Sequence, residues 1–433
     1  MNEVTDYKLK CLACGAVYDD SPNSFLLACS REHEPSLLRT VYAKSKLEIR
    51  PEFSGVFKFS DWLPVRSVIG DVPLPAVFHS KGLGKVLGLD RLYVVFNGYW
   101  PEKGAFMETC TFKELETPGV CARMDGDSET RLVVASAGNT ARAFLKVCSE
   151  NRIAALVVVP ERGIQNLWTT EETDPCVQVV SVNGRADYLD AIDVGAAISG
   201  LKGYCPEGGA KNVGRRDGLG IALLTAVSCL GEIPQHYFQA VGSGTGGIAA
   251  WEAVERLAGS GFGSVPMQLH LAQNHPFTIM VDAWAKGKRS VPVLDAQDAR
   301  ERFEAVYAHV LSNRKPPYSV VGGVYDALRV SGGNMYSVAN KEAQEAGFLF
   351  QEQEGCDLDP AAQVALAALR QACQMKSIGK KDLVLLNITG GGFQRLTEEK
   401  KIVFRRPDQV TEKADFRPEA LAEALAGQAA VLA

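Results

Sequence analysis

The sequence predicts an α/β protein with two parallel-sheet domains and a small separate piece at its N-terminal side. Three observations carry this. Short apolar runs rich in β-branched residues recur along the chain, helix-like stretches alternate with them, and the first forty-odd residues follow neither pattern and hold cysteines instead. A length of 433 residues exceeds one ordinary core, so two main domains are expected.

Seven runs read as strands: Leu92–Phe96, Leu132–Ala135, Ile153–Val159, Val177–Val182, Tyr237–Val241, Met267–Leu271 and Leu383–Ile388. Each is short and nearly continuous, as in strands buried on both faces. Thr140–Ser149, Tyr188–Ser199, Leu219–Leu230 and Ile248–Ala258 read as helices between them, several ending near glycine. Such alternation predicts parallel sheets covered by helices. The Ala-rich tail from Pro418 to Ala433 reads as a surface helix, and the charged stretch from Arg289 to Pro317 as peripheral.

Hydrophobic residues make up 46% and charged residues 22%, within the range of a soluble globular protein. A net charge of -5 argues against nucleic acid or an anionic membrane as the main partner. No apolar run approaches about 18 residues, so no transmembrane helix is expected. The opening Met1-Asn2-Glu3-Val4-Thr5-Asp6 is polar and acidic, unlike a secretory signal. An odd set of eleven cysteines, mostly in apolar segments, reads as reduced thiols in a cytoplasm.

The N-terminal piece, residues 1–42, holds Cys11, Cys14, Cys29 and His33. Thiolates and an imidazole at C-x2-C and C-x3-H spacing suit tetrahedral zinc, and Gly15 allows the tight turn after the second thiol. A piece this short cannot build a core alone, so a structural zinc in a zinc-ribbon-like extension is the expectation.

Three further segments belong together chemically. Thr111-Phe112-Lys113 follows the first strand. Gly242-Ser243-Gly244-Thr245-Gly246-Gly247 lies between a strand and a helix. Asn387-Ile388-Thr389-Gly390-Gly391-Gly392 closes the last strand. A lysine for a Schiff base, backbone N–H groups for a phosphate and a polar group for a pyridine nitrogen are what pyridoxal phosphate requires. The glycine loop also fits the dinucleotide pattern G-x-G-x-x-G, which makes an NAD-dependent oxidoreductase the rival. That pattern wants an acid at the end of the next strand for the ribose. Ala272-Gln273-Asn274 supplies none.

At this point a resemblance becomes specific. Ala135-Ser136-Ala137-Gly138-Asn139-Thr140 resembles the substrate-carboxylate loop of type-II fold pyridoxal phosphate enzymes, the tryptophan synthase β and threonine synthase group. Thr111-Phe112-Lys113 is similar to their S-F-K lysine, and the Gly242–Gly247 loop to their phosphate cup. Thr389 stands where threonine synthases face the pyridine nitrogen. The cysteine knuckle, with Phe57-Lys58-Phe59-Ser60-Asp61-Trp62-Leu63-Pro64 after it, is also threonine-synthase-like. A finer resemblance, to the cysteate synthase family of coenzyme M biosynthesis, rests on Asn97 to Phe106, Thr109-Cys110-Thr111-Phe112-Lys113-Glu114-Leu115, Pro206-Glu207-Gly208-Gly209-Ala210 and His236 to Val241.

The resemblance implies two α/β domains with the cofactor in their cleft. The larger, cofactor-binding domain would take residues 43–110 and 225–433, and the smaller, carboxylate-binding domain residues 111–224. It implies β-replacement on O-phospho-L-serine by sulfite through an aminoacrylate, giving L-cysteate and phosphate. Lys113 would be the catalytic lysine. Asn139, Gly242, Ser243, Gly244, Thr245, Gly246, Gly247 and Thr389 would bind the cofactor. Ser136, Ala137, Gly138 and Thr140 would bind the substrate carboxylate, and Asn212, Arg215, Arg216 and Lys103 its anionic groups. Arg142 and Lys211 are further candidates for sulfite. Two departures from threonine synthases bear on the substrate. The acid-arginine pair after the lysine is replaced by Glu114-Leu115. Their N-P-x-R-x-x-G segment becomes Asn212-Val213-Gly214-Arg215-Arg216-Asp217-Gly218, without the proline. Threonine synthase acting on O-phosphohomoserine and O-phosphoserine sulfhydrylase remain the alternatives. A homo-oligomer, dimer or larger, fits the resemblance, although the sequence carries no interface signature. Cys110 reads as a small buried hydrophobe, and His236, His270 and His275 show no pairing pattern.

Overall fold

The computed structural model describes residues 5–21, 25–70, 72–124, 130–136, 138–263 and 267–432, with side chains to residue 425. Two parallel sheets form its frame. The six-stranded sheet runs in the order Asn334–Val338, Gln268–Asn274, His236–Ala240, Leu383–Ile388, Arg91–Phe96, Ala76–His79, and only the last strand is antiparallel. The five-stranded sheet runs Tyr204–Pro206, Arg131–Ala135, Ala155–Pro160, Val177–Asn183, Gln409–Glu412, all parallel. All seven expected strands are present. The four that the sequence did not announce are edge strands, where one partner and partial exposure leave room for polar residues.

Helices Asn139–Glu150 and Tyr188–Ser199 match expectation closely. The helix expected from Leu219 starts six residues earlier, at Val213, because Asn212 caps it: its side chain accepts the Gly214 N–H at 2.9 Å. That helix, Val213–Leu230, is buried along most of its length and packs on Thr245–Gly259. Apolar side chains around these two helices form the largest core cluster, which includes Phe57, Trp62, Leu219, Ile248 and Leu271.

Two expectations change. The larger domain is expected to take all of residues 225–433, yet Gln409–Glu412 pairs in parallel with Val180–Asn183 in the smaller sheet. The tail helix Pro418–Leu432 follows it there, inserting Leu421 and Leu425 among Val133, Leu156 and Val180. Gln409–Glu412 alternates half-buried and exposed residues and carries no apolar run, which hid an edge strand that half-buries only one side. The stretch Arg289 to Pro317 is also not wholly peripheral. Ala308 and Leu311 are buried, and the carbonyl of Val310 backs directly onto Gly242, where a Cβ would come within 2.9 Å of it.

The N-terminal piece is a three-stranded antiparallel sheet, Val17–Tyr18, Tyr7–Cys11, Leu38–Tyr42. Its apolar side, Leu9, Cys11, Ala16 and Leu38, rests on Val213.

Candidate active site

Three neighbouring strands of the larger sheet aim their carboxyl ends at one place, where ligands bind in open α/β sheets. Arg91–Phe96 leads toward Lys113, His236–Ala240 into the glycine loop, and Leu383–Ile388 into Thr389. The lysine segment is stitched to the last of these. Phe112 N–H donates to the Thr389 carbonyl at 2.9 Å, and Thr111 bridges Gly390. Cys110 turns the chain here with a positive φ of 53°, and Gly391 N–H donates to its carbonyl. Its thiol is buried and held well above the ordinary cysteine range by desolvation, so it serves as a packed side chain.

Lys113 lies in a short 3-10 turn, Phe112–Leu115. Its Nζ is 3.3 Å from Glu116 Oε2. Burial lowers the affinity of this amine for its proton. Glu116 opposes that fall, and the Arg215 guanidinium adds to it. Glu116 is fully buried and reaches Arg215 with its other oxygen, at 3.1 Å from Nη2. That contact has ion-pair distance without hydrogen-bond alignment. Arg215 also donates to Glu207 Oε2 at 2.8 Å and to Thr140 Oγ1 at 2.9 Å, while its buried Nε–H meets no acceptor among the described residues. Lys113, Glu116, Arg215, Glu207 and Thr140 therefore form one connected set across the two sheets. Desolvation raises the Glu207 carboxyl above its ordinary range, partly offset by Arg215.

At the glycine loop, Gly244 adopts a left-handed φ of 83° and precedes helix Thr245–Gly259. The first intrahelical bond runs from Ile248 N–H to the Gly244 carbonyl, and Thr245 N–H is taken by Ser243 Oγ at 3.3 Å. The N–H groups of Gly246 and Gly247 lie in the first turn, before that bond, at the positive end of the helix dipole. Close packing also demands these glycines: a Cβ at Gly246 would sit 2.3 Å from Gln239 Nε2, and one at Gly247 2.8 Å from Leu271. Beneath the loop, Gln239, Tyr237, Asn387 and Asn97 form a buried hydrogen-bonded chain. Asn387 donates to Tyr237 at 2.6 Å and accepts from Asn97 at 2.8 Å. Thr389 is buried, and its hydroxyl takes no partner among the described residues.

On the smaller sheet, Ser136 Oγ accepts the Gly138 N–H at 3.2 Å just before helix Asn139–Glu150. Ala137 lies outside the described residues. Arg142 lies under this helix start. It donates to Asn139 Oδ1 at 3.2 Å and to the Thr109 carbonyl at 3.1 Å, and stacks over Trp168. Asp359, from the larger sheet's side, caps helix Pro360–Gln374 by accepting the Ala361 N–H at 2.7 Å.

The remaining expected anion-binding residues go elsewhere. Arg216 points away from Arg215. It is fully buried, pairs with Glu252 at 3.0 Å and donates to the Leu38 and Ala210 carbonyls, so it anchors the N-terminal piece. Consecutive helical residues diverge by about 100°, so neighbouring arginines cannot share one target. Asn212 is used up as a helix cap, with Arg123 and the Glu207 carbonyl as its other partners. Lys103 is exposed and lies over the Phe78 and Trp100 rings; Lys211 is exposed as well. Glu116, Glu207 and Asp359 are the acids that sequence reading passed over. An acid one turn after a lysine was the available signal for the first.

Pyridoxal phosphate fits what is present: a buried lysine of lowered basicity, helix-start N–H groups after a neighbouring part of the same sheet, and a Thr389 hydroxyl without a partner among the described residues. NAD fits poorly. The next strand ends in Asn274, whose amide is committed to the Val338 carbonyl and the Ala308 N–H, and no acid stands there. In the N-terminal piece, the ligand atoms of Cys11, Cys14, Cys29 and His33 lie within 4.8 Å of one another. His33 donates from Nδ1 to the Glu34 carbonyl at 2.6 Å, which leaves Nε2 for a metal. The Cys29 thiol is lowered to about 6, chiefly by the Tyr18 hydroxyl. The donor set suits zinc.

The buried histidines do pair. His236 Nδ1 and His270 Nε2 are 3.0 Å apart, flanked by Asp382 and the Tyr336 hydroxyl, at the opposite end of the strand from the glycine loop.

Comparison with known proteins agrees with this geometry. The family described as Pyridoxal-phosphate dependent enzyme matches residues 75–390. The cysteate synthase of Methanosarcina acetivorans is 45% identical over 415 residues, covering 95% of this chain and 98% of its own. That of Methanoculleus marisnigri is 48% identical over 395 residues, 91% of this chain and 90% of its own. Among solved structures, maize serine racemase superposes with a TM-score of 0.56 at 14% identity, over 75% of this chain and 90% of its own. A threonine deaminase from Solanum lycopersicum gives 0.53 at 17%, over 75% and 86%. These last two show the fold alone.

Proposed function

The chain belongs to the cysteate synthases, within the pyridoxal-phosphate dependent enzymes, and we propose on that footing that it joins O-phospho-L-serine to sulfite, giving L-cysteate and phosphate. The observation that carries the substrate pair is Arg215. One guanidinium touches Thr140 of the carboxylate loop and, through Glu116, the amine of Lys113. An anionic substrate seated against Thr140 would share this guanidinium with Glu116 and Glu207.

Pyridoxal phosphate, when bound, supplies the electron sink that lets a Cα–H and a Cβ–O bond break. The chain's own residues do the rest. Lys113 would hold the cofactor and move the Cα proton, a task suited to an amine made less basic by burial. Gly246 and Gly247 N–H groups would take the cofactor phosphate, and Thr389 would face the ring nitrogen with a neutral hydroxyl. Ser136, Gly138 and Thr140 would grip the substrate carboxylate, with Asn139 held toward the cofactor by Arg142. Arg215 would face phosphate on its way out and sulfite on its way in, since both are small oxyanions. Cys11, Cys14, Cys29 and His33 would hold a structural zinc.

The test is phosphate release by the purified protein from O-phosphoserine, with and without sulfite, and with O-phosphohomoserine as control. Sulfite-dependent release with cysteate as product is the expected result. Release only from O-phosphohomoserine with threonine formed, or a preference for sulfide with cysteine formed, would overturn the substrate pair.

A further inference from the structure

We propose that Glu116 is a positioning residue, the counter-ion that holds the Lys113 amine in place and sets its charge against the guanidinium of Arg215. The inference rests on Lys113 being the cofactor lysine.

Glu116 stands one turn after Lys113 and contributes both carboxylate oxygens to the site. Oε2 faces Lys113 Nζ at 3.3 Å and Oε1 faces Arg215 at 3.1 Å. It is wholly buried, a costly place for a carboxylate unless cations surround it. A helix surface position would have met the demands of folding with any polar residue; this one faces inward between two cations. The groups acting on Lys113 are Glu116, Arg215 and Glu207. The first is the only one that touches the amine. Without it, Lys113 would feel burial and Arg215 together, both of which discharge it, and would lose the contact that fixes its direction. With it, two cations and two carboxylates balance, and Arg215 can stand close to a lysine without expelling its proton.

Two measurements separate this role from the assignment of Lys113. Borohydride reduction of the holoenzyme followed by peptide mass spectrometry locates the cofactor lysine; attachment elsewhere would overturn Lys113 and this role with it. Then full-length chain freed of cofactor is treated with cyanate, and carbamylation of Lys113 is followed against pH. Glu116→Gln should move the labelling midpoint to lower pH by about one unit, a tenfold gain in free amine below the midpoint. Glu116→Asp should return it toward wild type. A residue needed only for packing would lower thermal stability and leave the midpoint where it was, and that result sinks the proposal. If Glu116→Gln does not fold, Arg215→Gln supplies the opposite test. Loss of the cation should raise the midpoint, and an unmoved midpoint is equally fatal.

Discussion

The amide of Phe112 donates to the carbonyl of Thr389 at 2.9 Å, across 277 positions of sequence. The lysine and the group expected to face the cofactor's ring nitrogen therefore sit on one backbone unit. Their spacing is fixed by main-chain hydrogen bonds and is indifferent to most side-chain changes nearby.

Gly246→Ala should weaken cofactor binding. The new Cβ would lie 2.3 Å from Gln239 Nε2, inside a hydrogen-bonded cluster that cannot retreat. Overpacking of this kind costs about 1–3 kcal/mol. A titration of absorbance with pyridoxal phosphate should show the corresponding rise in Kd. An unchanged Kd would mean that the loop does not cradle the phosphate.

Arg215 and Arg216 should separate cleanly. Arg215→Gln is expected to raise KM for O-phosphoserine. Arg216→Met should leave KM alone and lower stability by about 1–3 kcal/mol, because buried Glu252 would lose its hydrogen-bonded cation and keep the ion pair with Arg39 at 3.5 Å. Steady-state kinetics and urea unfolding of both variants decide the matter, and a KM effect from Arg216 would contradict its placement.

Acid stability should depend on His270. Burial and neighbouring His236 hold its pKa near 3, against an ordinary 6.5. Below about 6.5 the unfolded chain binds a proton that the folded chain refuses, so this site lowers stability as pH falls from about 6.5 toward 3. His270→Gln should flatten that slope in thermal melts taken from pH 7 to 4. A slope as steep as wild type would place the acid sensitivity elsewhere.

Removing the metal should unfold the N-terminal sheet and spare the reaction centre. Cys29→Ser, or chelation, is expected to eliminate about one zinc per chain and lower Tm, with kcat little changed. Metal analysis alongside the melts checks this. A full loss of turnover in folded protein would show that the extension does more than cover Val213.

The segments expected to form the centre stand out in the sequence because their chemistry is local. The Gly242–Gly247 loop and Thr389 each follow a strand directly, Lys113 lies in a turn further beyond Phe96, and these strands are apolar enough to read directly. What escaped depends on neighbours distant in sequence or on direction. Arg215 and Arg216 look alike as letters, and only the helix beginning at Val213 sends one to Thr140 and the other to Glu252. Glu207 acquires meaning by meeting Arg215, 8 residues further along the chain. Edge strand Gln409–Glu412 was missed because its alternating exposure resembles a loop.

That same strand has a consequence for biosynthesis. Every other strand of the five-stranded sheet lies between residues 131 and 206, and its outer member arrives some two hundred residues later. During translation Val177–Asn183 must wait with an open flank while four of the six strands of the larger sheet are made. A ribosome stalled near residue 400 would release a chain with its reaction centre assembled and one sheet still adhesive along an edge.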